Sequence, residues 1–175
     1  TVKLQRSKDT KFPQSTAALI VRCCLSNIRI YNTGKGLFLM NIALIAHDRK
    51  KELMVQFCMA YCGILAKHNI CATGTTGKFV EEATGLKIDK CLAGMQGGEE
   101  QISARVAYNE IDLVLFFRDP MSNAQYEPDI HAISRLCDMH NIPIATNSAT
   151  AEMLILGLDR GDLDWRNIVN PKNKK

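Results

Sequence analysis

From residue 40 onward, short unbroken apolar runs alternate with longer stretches whose apolar residues recur every three or four positions. "NIALIA" (41–46) has the continuous apolar character of a strand buried on both faces. "RKKELMVQFCMAYCGILAKH" follows, and its Leu53, Phe57, Tyr61 and Ile64 fall at helical spacing, predicting the inner face of a helix. A short strand is expected to end at Ala72, with a helix from about Gly77 to Ala83 and a weaker strand in "KIDKCL". "GEEQISARVAYNE" reads as a helix with Ile102 and Val106 turned inward. "IDLVLFF" (111–117) is the strongest strand pattern, and its unbroken apolar run predicts a central position. "EPDIHAISRLCDMHN" predicts a helix with proline in its first turn, "IPIAT" a last strand, and "SATAEMLILGLD" a last helix stopped near Gly161. Strand–helix alternation of this kind predicts one α/β domain: about five mainly parallel strands with helices on both faces, a Rossmann-type three-layer arrangement.

Residues 1–39 break the pattern. They hold seven basic side chains and one acid, whereas residues from Met40 onward hold 15 basic and 17 acidic. The net charge of +4 therefore belongs to the leading stretch and gives no reason to expect nucleic-acid binding by the domain. Lys35-Gly36 is encoded AAR-GGN, similar to a bacterial ribosome-binding sequence shortly before a start, and Met40 directly precedes the first strand. The expected division is a translated leader or disordered extension over 1–39, a domain over 40–166 and a polar tail over 167–175. A signal or transit peptide fits less well, because the apolar run of this stretch comes late and lacks a small-residue cleavage site.

No apolar run approaches the ~20 residues of a membrane span. Seven cysteines, an odd number with no C-x-x-C pair, suit reduced thiols in the cytoplasm and suggest neither a disulfide framework nor a zinc site. The absence of G-x-G-x-x-G after the first strand, and of G-x-x-x-x-G-K-[ST], disfavours dinucleotide and Walker-type nucleotide sites.

In a parallel sheet, small molecules bind beyond the carboxyl ends of the strands. The residues expected there are His47-Asp48, the run Thr73-Gly74-Thr75-Thr76-Gly77, the run Ala93 to Glu99, Arg118-Asp119 and Thr146-Asn147. "ATGTTG" admits two explanations. It is either a turn with glycine at positive φ and threonine capping the helix, or an anion site of backbone N–H groups at a helix N-terminus. Five polar or glycine-rich strand ends on one edge favour the second. "AGMQGG" is a further anion turn, and Lys51 stands one helical turn after His47. The ligand class expected is a phosphate-bearing small molecule. Glu99, Asp119 and Asp129 with His47 form an acid–base set that needs no metal. A carboxylate that removes a proton beside a carbonyl, with histidine polarising that carbonyl, makes an enediolate. A neighbouring phosphate is then expelled if its bridging C–O bond stands perpendicular to the enediolate plane.

"IALIAHD", "ATGTTG", "GGEEQI", "DLVLFFRDP", "EPDI", "RLCD" and "IPIATN", in order from Met40 to about Arg166, together resemble methylglyoxal synthase. The resemblance implies conversion of dihydroxyacetone phosphate to methylglyoxal and inorganic phosphate, no cofactor, a cytoplasmic location and a homohexamer. It implies that His47 and Lys51 contact substrate, that Thr73, Gly74, Thr75, Thr76, Ala93 and Gly94 hold phosphate, and that Glu99 is the base. Asp119 and Asp129 match active-site acids, Arg135 an arginine near the site, and Arg166 a C-terminal arginine reaching a neighbouring subunit. Three positions depart from the family's usual pattern: Ala93 replaces a serine, Glu99 an aspartate, and Tyr126 a substrate-contacting histidine. The alternative reading is a non-catalytic phosphate-ligand sensor, since the regulatory domain of carbamoyl phosphate synthetase is similar in fold and binds effectors without chemistry.

Overall fold

The computed structural model describes residues 38–121 and 130–169. Its elements run β1 (Asn41–Ala46), α1 (Lys51–Ala60), α2 (Cys62–Leu65), β2 (Asn69–Ala72), α3 (Gly74–Thr84), β3 (Ile88–Lys90) and α4 (Gly98–Ala107). They continue with β4 (Leu113–Phe117), α5 (Ile130–Met139), β5 (Ile144–Ala145), α6 (Ser148–Arg160) and α7 (Trp165–Val169). The five strands form one parallel sheet in the order β3-β2-β1-β4-β5.

Side chains of every strand but β3 alternate between two cores. Ile42, Leu44 and Ala46 of β1, with Leu113, Leu115 and Phe117 of β4, meet α1, α2, α3 and α6 through Met54, Phe57, Cys58, Leu65, Val80 and Ile155. Ala43, Ile45, Val114 and Phe116 face α4 and α5 through Ile102, Val106, Ile133 and Cys137. Right-handed crossovers dictate this split. The chain steps outward from β1 to β3 with its helices on one face, returns across the sheet to β4, and must then lay α4 and α5 on the other. Because β1 lies in the middle, the reversal of direction, where a ligand crevice opens, falls between β1 and β4.

Four expectations shift. The centre of the sheet is β1; β4 is interior, next to it. The first helix is interrupted at Tyr61 (φ −107°, ψ 19°), and its buried residues are Met54, Phe57 and Cys58, while Leu53 is exposed. The α3 helix begins at Gly74, three residues before the expected Gly77, so "TGTTG" straddles the N-cap and first turn of a helix and does not precede it. The α7 helix carries ordered fold to Val169, past the boundary expected at Arg166. The expected leader, apart from Phe38 and Leu39, lies outside the described residues, as do Tyr126 and Asp129.

Candidate active site

Two helix N-termini meet at the carboxyl edge of β2 and β3. Thr73 is the N-cap of α3, and its hydroxyl donates to Thr76 Oγ1 at 3.1 Å and does not cap the helix. Of the first N–H groups, Gly74 donates to the Leu92 carbonyl at 2.9 Å and Gly77 to Thr73 O at 2.8 Å. Helix geometry leaves the N–H groups of Thr75 and Thr76 without acceptors one turn back, aimed out of the helix end toward any anion.

Gly74 and Gly77 do not serve positive φ. Among the described glycines that conformation is confined to Gly85, Gly97 and Gly161. Gly74 is there for approach: a Cβ on it would lie 2.9 Å from Cys91 O and 3.1 Å from Ala93 N. Gly77 is similarly tight, against Lys90 Cγ at 2.9 Å and Ala72 Cβ at 3.2 Å. The second turn is a 3₁₀ segment, Gly94–Gln96, followed by Gly97 at φ 93°. A Cβ on Gly98 would stand 1.8 Å from the Leu92 carbonyl oxygen, so no other residue fits at the start of α4. The two glycine-rich turns are thus pressed together at the Leu92 carbonyl.

Glu99, in the first turn of α4, is half-buried, and an ideal Cβ at Gly94 would come within 2.9 Å of its Oε1. The longer carboxylate therefore lies over a glycine that yields the space. Burial, reinforced by neighbouring Glu100 and opposed by Lys51, pushes the Glu99 pKa up to about 7. Lys51 itself binds Asp48 Oδ1 at 2.5 Å.

One strand over, β1 and β4 bring His47 and Asp119 into contact. Both are buried. The Asp119 backbone N–H donates to His47 Nδ1 at 3.1 Å, and the ring stands edge-on to Phe116. Because Nδ1 accepts, the ring proton resides on Nε2, the donor that polarising a carbonyl requires. Asp119 Oδ1 accepts from Met121 N–H at 3.2 Å, and its Oδ2 lies 3.5 Å from Arg49 Nη1. Arg49 is not among the residues expected from sequence. Its signal, a cation two residues beyond His47, is hidden in the charge run "DRKK".

His47, Lys51, Thr73–Thr76, Ala93, Gly94, Glu99 and Asp119 thus share one edge of the sheet. Arg135 is exposed on α5. Arg166 is not on that edge. It is 1% exposed, donates to the carbonyls of His140, Asn141 and Ile111 and to Asn109 Oδ1, and stands 3.5 Å from Asp112. Those partners precede β4 and β5, so Arg166 is an internal tie at the amino edge and not an arm extended from the surface.

Residues 54–146 match the family model described as MGS-like domain. The chain is 62% identical over 136 residues to methylglyoxal synthase of Caldicellulosiruptor saccharolyticus, covering 78% of this chain and 96% of that one. It is 59% identical over 130 residues to that of Thermoanaerobacterium thermosaccharolyticum, covering 74% and 97%. The crystal structure of methylglyoxal synthase from Elizabethkingia anophelis NUHP1 superposes with a TM-score of 0.64 at 42% identity, over 67% of this chain and 77% of that one. The fold, the paired glycine-rich turns and these similarities agree: the chain belongs to the methylglyoxal synthase family.

Proposed function

We propose that this chain is a carbon–oxygen lyase that converts dihydroxyacetone phosphate to methylglyoxal and inorganic phosphate. The observation that supports it best is the Glu99 carboxylate, raised in pKa and lying against Gly94 where the two anion turns abut. A phosphate held on the N–H groups of Thr75, Thr76 and the second turn brings the rest of a three-carbon substrate toward that carboxylate. Ionised Glu99 takes a proton from the hydroxymethyl carbon. The electrons of the broken C–H bond move into the carbonyl, whose oxygen becomes the enediolate oxygen stabilised by His47 Nε2–H. With the bridging C–O bond perpendicular to the enediolate plane, those electrons expel phosphate, which leaves with the proton of the former hydroxymethyl oxygen as that oxygen becomes the aldehyde. The remaining enolate takes the proton back from Glu99 at its methylene carbon, giving the ketoaldehyde and the ionised base. Asp119 keeps His47 in the tautomer this step uses. Asp129 and Tyr126 are proposed to complete the site, and no cofactor enters the scheme.

Phosphate release from dihydroxyacetone phosphate, without added metal, is the test. Turnover should fall about 10²–10⁴-fold in Glu99→Gln, while substrate still binds. A parent that binds substrate yet turns it over no faster than the variant would instead be a sensor. A cytoplasmic homohexamer with inorganic phosphate as inhibitor is part of the proposal. Exposed Leu92, Met95 and Met121 at the site edge offer apolar surface that an assembly would cover, and light scattering in solution reads the mass. Among the described residues no helix is long and apolar enough to cross a membrane.

A further inference from the structure

Leu92 is held on both sides of its Cα. Its carbonyl accepts the Gly74 N–H from the start of α3 at 2.9 Å, and its N–H donates to the side-chain Oε1 of Gln101 on α4 at 2.8 Å. The same carbonyl blocks any Cβ at Gly98, the first residue of α4. Two successive peptide planes, Cys91–Leu92 and Leu92–Ala93, therefore link the two helix N-termini through Leu92. Of the three constraints on Leu92, two act on its carbonyl and are ones the glycines permit; the third, on its N–H, is the Gln101 side-chain amide. Gln101 sits two residues beyond Glu99 on the same helix, so the side chain that clamps the anion turns is carried by the element that carries the candidate base.

We infer that Gln101 is a positioning residue for the phosphate cradle, acting through the Leu92 amide to set where the Thr75 and Thr76 N–H groups stand relative to Glu99. The inference rests on the proposed reading of the site as a phosphate cradle. Gln101 touches no ligand in this role. Without its acceptor, the Cys91–Leu92 peptide loses one restraint, the Leu92 torsions loosen, and the carbonyl that the Gly74 N–H meets is held less firmly. The penalty falls on phosphate binding, with little on the chemical step, because Glu99 is anchored by α4 itself.

The test compares the parent with Gln101→Met, which keeps length but removes the acceptor, and Gln101→Glu, which keeps an oxygen there. Binding of inorganic phosphate is titrated calorimetrically, and turnover of dihydroxyacetone phosphate is measured in parallel. Both use 0.5 M salt, where a screening length of only a few ångströms limits the effect of the added charge. In Gln101→Met the phosphate dissociation constant and KM should each rise about three- to tenfold, the range one hydrogen bond spans. Its kcat should stay within about twofold, and Gln101→Glu should recover most of the loss. Unchanged phosphate affinity in the Met variant, an equal loss in both variants, or a fall in kcat with KM constant would overturn the inference. A parent that binds phosphate without turnover, yet loses affinity in Gln101→Met, refutes the lyase reading and leaves the positioning role standing. A parent that turns over substrate but binds no inorganic phosphate refutes the positioning role alone.

Discussion

Glu99 is a site-edge side chain whose protonation its surroundings set. With its pKa near 7, set first by burial and then by Glu100, its basic form accumulates only as the medium passes neutrality. The expected kcat/KM therefore climbs about tenfold per pH unit below ~7 and levels off above it. Glu100→Gln removes a like charge, lowers the Glu99 pKa and moves this limb toward acid. Comparing the variant with the parent cancels the titration of the substrate's own phosphate, whose second pKa is about 6. A limb that stays in place excludes Glu99 as the group it reports. Stability follows the opposite sign. A carboxyl whose native pKa is raised adds stability below its unfolded value of 4.5, and that contribution is lost as pH rises through about 7. Glu99→Gln should thus flatten this part of the stability–pH curve in denaturant titrations. At this scale the sequence, through the family resemblance, locates the carboxylate. It does not reveal that Gly94 gives way to it, that Gln101 accepts from the Leu92 N–H, or that Arg49 stands beside Asp119, because those contacts join residues with no local pattern between them.

At the scale of elements, the start of α3 sets two effects of opposite sign against each other. Gly74→Ala improves helix propensity by ~1 kcal/mol. It also drives a methyl group to within 2.9 Å of the Cys91 carbonyl oxygen, and overpacking against backbone costs about 1–3 kcal/mol. Overpacking should win: the variant is expected to melt lower and to bind inorganic phosphate at least tenfold more weakly. A variant that is more stable with full phosphate affinity would mean that the two turns are not pressed together. The same contact explains the misplaced helix start. Glycine and threonine are poor helix formers, so "TGTTG" reads as a turn until packing against β3 and Leu92 pulls it into the helix. The first helix keeps Phe57, Tyr61 and Ile64 on one core across the interruption at Tyr61, and only Leu53, near the helix start, falls outside it. β1 and β4 are legible because an unbroken apolar run leaves them nowhere but the interior.

For the molecule as a whole, Arg166 decides how the C-terminal end is held. Its guanidinium joins the segments leading into β4 and β5, including Asn109 and Asn141, which both adopt positive φ (55° and 52°). Arg166→Met strips donors from buried carbonyls and leaves Asp112 without its cation, a loss of about 3–5 kcal/mol for a broken buried pair. Urea unfolding should show that loss, with KM for dihydroxyacetone phosphate little changed. Intact stability with a raised KM would return Arg166 to the role of a substrate contact. Sequence places a cation near the end of the chain, and only the three-dimensional fold shows which edge it joins. The strand order has a further consequence for the newborn chain. The middle strand of the sheet is made first, and its β4 partner, paired Ile42 to Leu113, follows about 70 residues later. At ~5–20 residues per second, one side of β1 waits several seconds with an open ladder and bare Ala43 and Ile45. Ribosome-bound chains arrested before Leu113 should therefore be cut readily by protease and captured by chaperones, and those extended well past Arg166 should resist both. The ribosome, in effect, delivers this protein with its centre exposed.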